Sequence, residues 1–345
     1  MSPGGVVGTV PMASFQTLPL VTELAEKVLA GDRRALAKAI TLVESTREDH
    51  QEQAQRLLER LLPATGNAVR LGITGVPGAG KSTFIEAFGL YLIDQNRRVA
   101  VLAVDPSSAR SGGSILGDKT RMSRLSVHPD AFIRPSPSAG SLGGVARRTR
   151  ESILVCEAAG YGVILVETVG VGQSEFAVAS MVDFFLLIML AGAGDELQGI
   201  KKGIMELADA LAINKSDGQN IERAERAKAE YASALRLLKP ASSRWQPPVL
   251  TVSALEARGM DRVWDAVLQH RTALSESGEL AQKRADQQTA WFWNMIDDGL
   301  KRHFLGRPDV SSLLPEMQEA VMSRHLTPTA AAHRLLSLLD TPAAK

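Results

Sequence analysis

The chain has a single cysteine, Cys156, so it can form no internal disulfide and build no cysteine-based zinc knuckle. It lacks an excess of either charge. Its 39 Lys+Arg against 38 Asp+Glu leave a net charge of +1, which gives no overall basic field to recruit nucleic acid or an anionic membrane. Long hydrophobic runs are absent as well. The longest, Phe184 to Ala193, is too short to cross a bilayer. No basic residue precedes Lys27 and no arginine precedes Arg33, so the opening resembles neither a secretory leader nor an Arg-rich transit peptide. The six histidines show no metal-ligand spacing, and there are no repeats or low-complexity tracts. What remains is a chain of 345 residues, 45% apolar and 22% charged, a balance that excludes disordered and fibrous classes. Its length suits one large domain with additions or two modest ones, and a soluble, cytoplasmic protein is expected.

Residues 1–13 are Gly/Val/Pro-rich and non-periodic, and read as a tail. Residues 14–66 carry apolar positions at helical spacing, such as Leu36, Ile40 and Val43. Gly31 and Asp32 read as a helix stop followed by an N-cap, and Ser45 with Glu48 as a capping box. The character changes at Val69. Six short apolar runs follow, beginning at Val69, Val99, Gly162, Phe184, Ala208 and Val249. Most lack polar alternation, as strands buried on both faces do. Helical stretches separate most of them, including Ile221 to Leu238. The expected fold is α/β, a mostly parallel sheet with helices on both faces over residues 67–270. Residues 271–345 read as helical again, with Trp293, Ile296, Leu300 and Phe304 forming one apolar stripe.

Gly75, Val76, Pro77, Gly78, Ala79, Gly80, Lys81 and Ser82 fit G-x-x-x-x-G-K-S/T, with Thr83 next. The run follows a strand and opens a helix, the context this motif requires. Glycines let backbone N–H groups turn inward around a phosphate chain, and the helix N-terminus adds a positive dipole end. Lys81 would reach the β- and γ-phosphates, and the Ser82 hydroxyl would ligand Mg²⁺.

Asn214, Lys215, Ser216 and Asp217 match N-K-x-D at the end of a strand. Asp217 can accept hydrogen bonds from guanine N1–H and the 2-amino group. Adenine offers neither, so a desolvated carboxylate would lose both partners. Lys215 would lay its methylenes over the base, and Asn214 would brace the loop. Ser253, Ala254 and Leu255 fit the loop whose backbone reads guanine O6. Together these features favour GTP and GDP over adenine nucleotides.

Glu167 ends the third run, where a magnesium-associated acid is expected, and Gly170 would offer its N–H to the γ-phosphate. Gln173 falls three residues after that glycine rather than directly after it, so it reads as a switch-loop residue and not as the water-orienting glutamine. Asp105 ends the second run and is either a magnesium-water ligand or a turn aspartate. Asp118 alone reads as a surface residue. The basic cluster Arg147, Arg148 and Arg150 reads as a solvated helix face or a contact for phosphate or a partner.

Together these residues resemble the MeaB/ArgK group of P-loop GTPases, relatives of the metal-chaperone GTPases. The likeness also covers the runs 31–44, 104–108, 113–122, 167–175 and 195–203. It implies a GTPase chaperone of an adenosylcobalamin-dependent mutase, usually methylmalonyl-CoA mutase. Such proteins gate cofactor delivery and protect the mutase, so adenosylcobalamin would be met only through that partner. It further implies a homodimer built by the C-terminal helices, and Asp105, Asp118 and Glu167 around Mg²⁺ and the γ-phosphate. A third switch would span residues 195–203, with Gln198 and Lys201 as communicating residues. No membrane or nucleic-acid partner is expected. A metal-inserting GTPase would carry a His-rich or Cys-x-Cys-Cys tract, which this chain lacks. A kinase acting on a transport protein would need a base for its acceptor, and none is identifiable. The guanine motif argues against a small-molecule kinase.

Overall fold

The computed structural model describes residues 19–104, 122–135, 142–168, 174–192, 202–238 and 242–340. These divide into two compact units, one ending at Ala281 and one beginning at Gln282.

The first unit is built on an all-parallel sheet of seven strands. They are β1 (Val69–Gly75), β2 (Val99–Val104), β3 (Ala131–Arg134), β4 (Val163–Thr168), β5 (Phe184–Leu190), β6 (Ala210–Asn214) and β7 (Val249–Thr251), in the order β3-β2-β4-β1-β5-β6-β7. The strands are near-continuously apolar because helices cover both faces. On one face Leu71, Ile73 and Leu186 pack with Phe84 and Phe88 of helix Lys81–Asp94 and Trp264 of helix Met260–Glu276. On the other, Leu187, Leu211 and Ile213 pack with Met205 and with Ala224, Ala227 and Tyr231 of helix Ile221–Arg236. Phe84 and Phe88 are fully buried, each worth roughly 2–3 kcal/mol of transfer free energy. The chain steps from β1 to β2 across the position of β4, then returns to the far side at β5. That reversal leaves a crevice beyond the carboxyl ends of the central strands, where doubly wound sheets bind ligands.

Buried polar groups tie down the opposite end of the sheet. The Arg70 guanidinium donates to Glu157 Oε1 at 2.7 Å and Oε2 at 3.2 Å, and Oε2 also accepts from Gly66 N at 2.6 Å. Asp183 accepts from Arg70 N at 3.0 Å, and Asp209 from Phe185 N at 2.9 Å.

Three helices, Pro19–Leu29, Arg33–Glu44 and Glu48–Leu61, precede the sheet and pack on helix Leu142–Ala158. Gly31 takes φ +78°, and Asp32 caps the second helix by accepting from Ala35 N at 2.7 Å. The expected capping box at Ser45 and Glu48 does not form. The N-cap is Arg47, and the Ser45 hydroxyl instead meets His50 Nδ1 at 2.8 Å. The basic cluster is not a solvated face either. Arg147 Nε bonds the buried Glu151 at 3.1 Å, Gln55 Nε2 reaches the same oxygen at 3.4 Å, and Arg150 donates to the Ser180 hydroxyl at 2.7 Å. Burial pushes the Glu151 carboxyl above the ordinary range, against the pull of Arg147.

In the second unit, helices Pro308–Met322 and Pro328–Leu336 enclose a small core of Val310, Met317, Ala331 and Leu335, with Phe304 packed against it. The rest of the expected stripe does not share that core. Trp293 is 57% and Leu300 63% exposed.

Candidate functional site

The loop between β1 and helix Lys81–Asp94 has at each end a glycine where a side chain would be crowded. A Cβ on Gly75 would lie 2.2 Å from the Ile188 carbonyl oxygen of β5. Gly80 sits at φ +83°, and a Cβ there would come within 2.9 Å of Asn214 Nδ2. The first contact seats the loop on β5 and the second on β6. Ala79 is buried, whereas Pro77, Gly78 and Thr83 are exposed at the crevice. Lys81 Nζ donates to Gly75 O at 2.9 Å and Val76 O at 3.5 Å, folded over the loop it belongs to. Burial lowers the ammonium's pKa below the ordinary lysine value, while the charges of Glu167 and Glu175 act in the opposite direction.

Ser82 Oγ donates to Glu167 Oε1 at 3.2 Å, which brings these two sequence-predicted residues together. Behind them the Thr168 and Thr74 hydroxyls bond at 2.7 Å and lock the ends of β4 and β1 together. A hydroxyl and a buried carboxylate converging beside a phosphate loop are hard oxygen donors, a set that fits Mg²⁺ with most of its water retained. Among the described residues no cluster of three His, Cys, Asp or Glu side chains could hold a metal by itself. Asp105, Asp118, Gly170, Gln173, Gln198 and Lys201 lie outside the described residues.

Asn214 is the joint between the phosphate and base ends of the crevice. Its Nδ2 donates to Ala79 O at 2.7 Å, and its Oδ1 accepts from Ala254 N at 3.0 Å. One buried amide thus holds the phosphate loop and the Ser253–Leu255 loop in register. Lys215 takes φ +58° and leaves its exposed side chain free to cover a base. Asp217 Oδ2 accepts from Ser253 Oγ at 2.6 Å, which orients the carboxylate and leaves Oδ1 for a ligand. Ser253 Oγ also accepts from Glu256 N at 3.1 Å, and Arg258 donates to Ser216 O. Leu255 stands exposed at the tip of this loop.

Sequence reasoning missed Glu175, which is almost fully buried and acts electrostatically on Lys81. The available signal was an acid at the start of an otherwise apolar helical turn, Ser174–Ala179.

A parallel sheet with this loop at its crevice and an N-K-x-D loop braced to it defines the class: a P-loop GTPase. The chain belongs to the family described as methylmalonyl Co-A mutase-associated GTPase MeaB, whose model matches residues 36–309. It is 49% identical to the GTPase ArgK of Escherichia coli K12, over 93% of this chain and 97% of that protein. It is 50% identical to the mitochondrial methylmalonic aciduria type A homolog of Mus musculus, over 92% of this chain and 79% of that one. A crystal structure of a LAO/AO transport system kinase superposes with a TM-score of 0.76 at 42% identity, covering 95% of this chain and all of the other. Among the described residues no helix is long and apolar enough to cross a membrane.

Proposed function

We propose that this GTPase is a chaperone that gates adenosylcobalamin delivery to methylmalonyl-CoA mutase and protects that enzyme. The observation that carries the reading is the family match over residues 36–309 on a site whose phosphate and guanine ends are joined through Asn214. Gly75 to Thr83 would cradle the phosphates, while Asn214, Lys215, Asp217 and Ser253 to Leu255 would read guanine. Ser82 and Glu167 would hold Mg²⁺, with Asp105 and Asp118 as further acids. Mg²⁺ would supply charge neutralisation on the β- and γ-phosphate oxygens. Water would attack the γ-phosphate in line, with Lys81 steadying the developing charge and Gly170 expected to offer its N–H to the same oxygens. Gln173, Gln198 and Lys201 belong to segments that would respond to the γ-phosphate and to the partner.

The experiment is incubation with γ-labelled GTP and Mg²⁺, with and without methylmalonyl-CoA mutase. Label is expected as free phosphate, at a turnover on the order of 10⁻³–10⁻¹ s⁻¹ alone, because no glutamine directly follows Gly170. The mutase should raise that rate. Label on protein would support a kinase instead. A lone turnover above roughly 10 s⁻¹, or indifference to the mutase, would contradict the chaperone reading.

The exposed Trp293 and Leu300, together with Phe292 stacked edge-on against Trp293 at 5.6 Å, are the proposed homodimer contact. Light scattering at micromolar concentration should show a dimer. Deletion from Gln282 onward should give a monomer that still binds GDP. A monomeric full-length chain would rule the contact out.

A further inference from the structure

Two loops meet on the carboxylate of Asp217, and one arginine is bonded to both. Asp217 follows Ser216 in the N-K-x-D run, and its Oδ2 accepts from Ser253 Oγ at 2.6 Å. Both serines are buried. The Ser216 N–H donates to Val252 O at 3.0 Å, which anchors the run to the chain leaving β7. The Ser216 carbonyl accepts from the Arg258 guanidinium. That oxygen lies in the same peptide plane as the N–H and Cα of Asp217. Holding it therefore fixes the plane from which the Asp217 side chain projects.

Arg258 also closes the second loop. Its backbone exchanges both hydrogen bonds with Ser253, N to O at 3.0 Å in each direction, as an isolated antiparallel bridge. Ala257 at φ +52° and Gly259 at φ +82° turn the chain around this bridge. A Cβ on Gly259 would lie 2.9 Å from Thr251 O, so the turn sits tightly on its strand. The bridge sets Ser253, whose hydroxyl in turn holds Asp217. Asp217 is thus steadied at its peptide by the Arg258 side chain, and at its carboxylate by a serine that the Arg258 backbone positions. The guanidinium also lies 3.5 Å from Glu256 Oε2, but these side chains are 52% and 48% exposed, and such pairs contribute little. The contact with consequence is the charge-assisted bond to the Ser216 carbonyl.

We propose that Arg258 is a positioning residue for base recognition, aligning Asp217 with the 2-amino group of guanine through the Ser216 carbonyl. The inference rests on the reading of Asp217 as the guanine acceptor and adds the residue that sets its aim. A carboxylate held in one orientation meets both donors of guanine at once, whereas one that pivots keeps N1–H and loses the 2-amino group. Hypoxanthine keeps N1–H and lacks the 2-amino group. The preference for GDP over inosine diphosphate therefore reads the alignment of the carboxylate rather than the integrity of the pocket.

The test is calorimetric titration of the full chain with GDP and with inosine diphosphate, in Mg²⁺, for the native protein, Arg258→Met, Arg258→Lys and Glu256→Ala. Methionine keeps most of the stem and removes the donors, so the ratio of the two affinities should fall about tenfold, mainly through weaker GDP binding. Lysine restores a charged donor to a single carbonyl and should recover the ratio to within about threefold of the native value. Glu256→Ala should leave it unchanged. Circular dichroism melts confirm folding, and Arg258→Ala takes the place of Arg258→Met if that variant does not fold. An unchanged ratio in Arg258→Met, whether both affinities hold or both fall together, overturns the proposal and leaves the guanine reading intact. A ratio that Arg258→Lys does not recover overturns it as well. A native chain that binds the two nucleotides equally overturns the guanine reading and the proposal with it.

Discussion

Asp217→Asn should lose affinity for GDP by about 10²–10³-fold and gain affinity for xanthosine diphosphate. A carboxylate oriented by Ser253 Oγ at 2.6 Å offers its remaining oxygen to a donor edge, and guanine supplies two donors there. An asparagine amide presents a donor of its own to the 2-amino group, which is a mismatch, but meets a carbonyl on xanthine, which is a match. Leaving a buried polar group unpaired costs about 1–3 kcal/mol per group, enough for the stated factor when two are lost. Calorimetry with both nucleotides reads the swap. Retention of guanine preference in the variant would remove Asp217 from base recognition.

Glu157→Ala should destabilise the chain by about 3–5 kcal/mol while leaving the crevice residues untouched. The Arg70 and Glu157 side chains are 9% and 1% exposed, so removing the carboxylate strands a guanidinium in the interior. It also strips Gly66 N of its acceptor, in the link between the N-terminal helices and β1. Chemical denaturation followed by circular dichroism measures the loss. A change below about 1 kcal/mol would mean that the pair is solvated or replaced by other contacts.

These two residues mark how differently function and scaffold read from a sequence. The phosphate loop was legible because its backbone requirements are local. Gly75, Gly80 and Lys81 are contiguous, and their strand and helix flank them directly. The N-K-x-D run was legible for the same reason, although nothing in four letters showed that Asn214 would hold Ala79 and Ala254 at once. Strand β3 was not recognised. Ala131–Arg134 is only four residues long and ends in an arginine whose partner, Glu44, comes from the N-terminal helices. The basic cluster misled for a related reason. Arg147 looked like a solvent residue because Gln55, which shares its carboxylate Glu151, lies 96 residues from that acid in the chain. Charge in a sequence window is read as exposure unless its distant partner is visible. Glu175 went unnoticed because its burial depends on Gly72, on a strand far upstream, making room for the helix that carries it.

The central claim is that the crevice selects guanine through Asp217 and holds its phosphates on the Gly75–Thr83 loop. The most direct measurement is calorimetric titration of the native chain with GTP and with ATP in the presence of Mg²⁺. GTP should bind at least about 10²-fold more tightly, the discrimination expected when a desolvated carboxylate loses both of its partners. Equal affinities for the two nucleotides would contradict it.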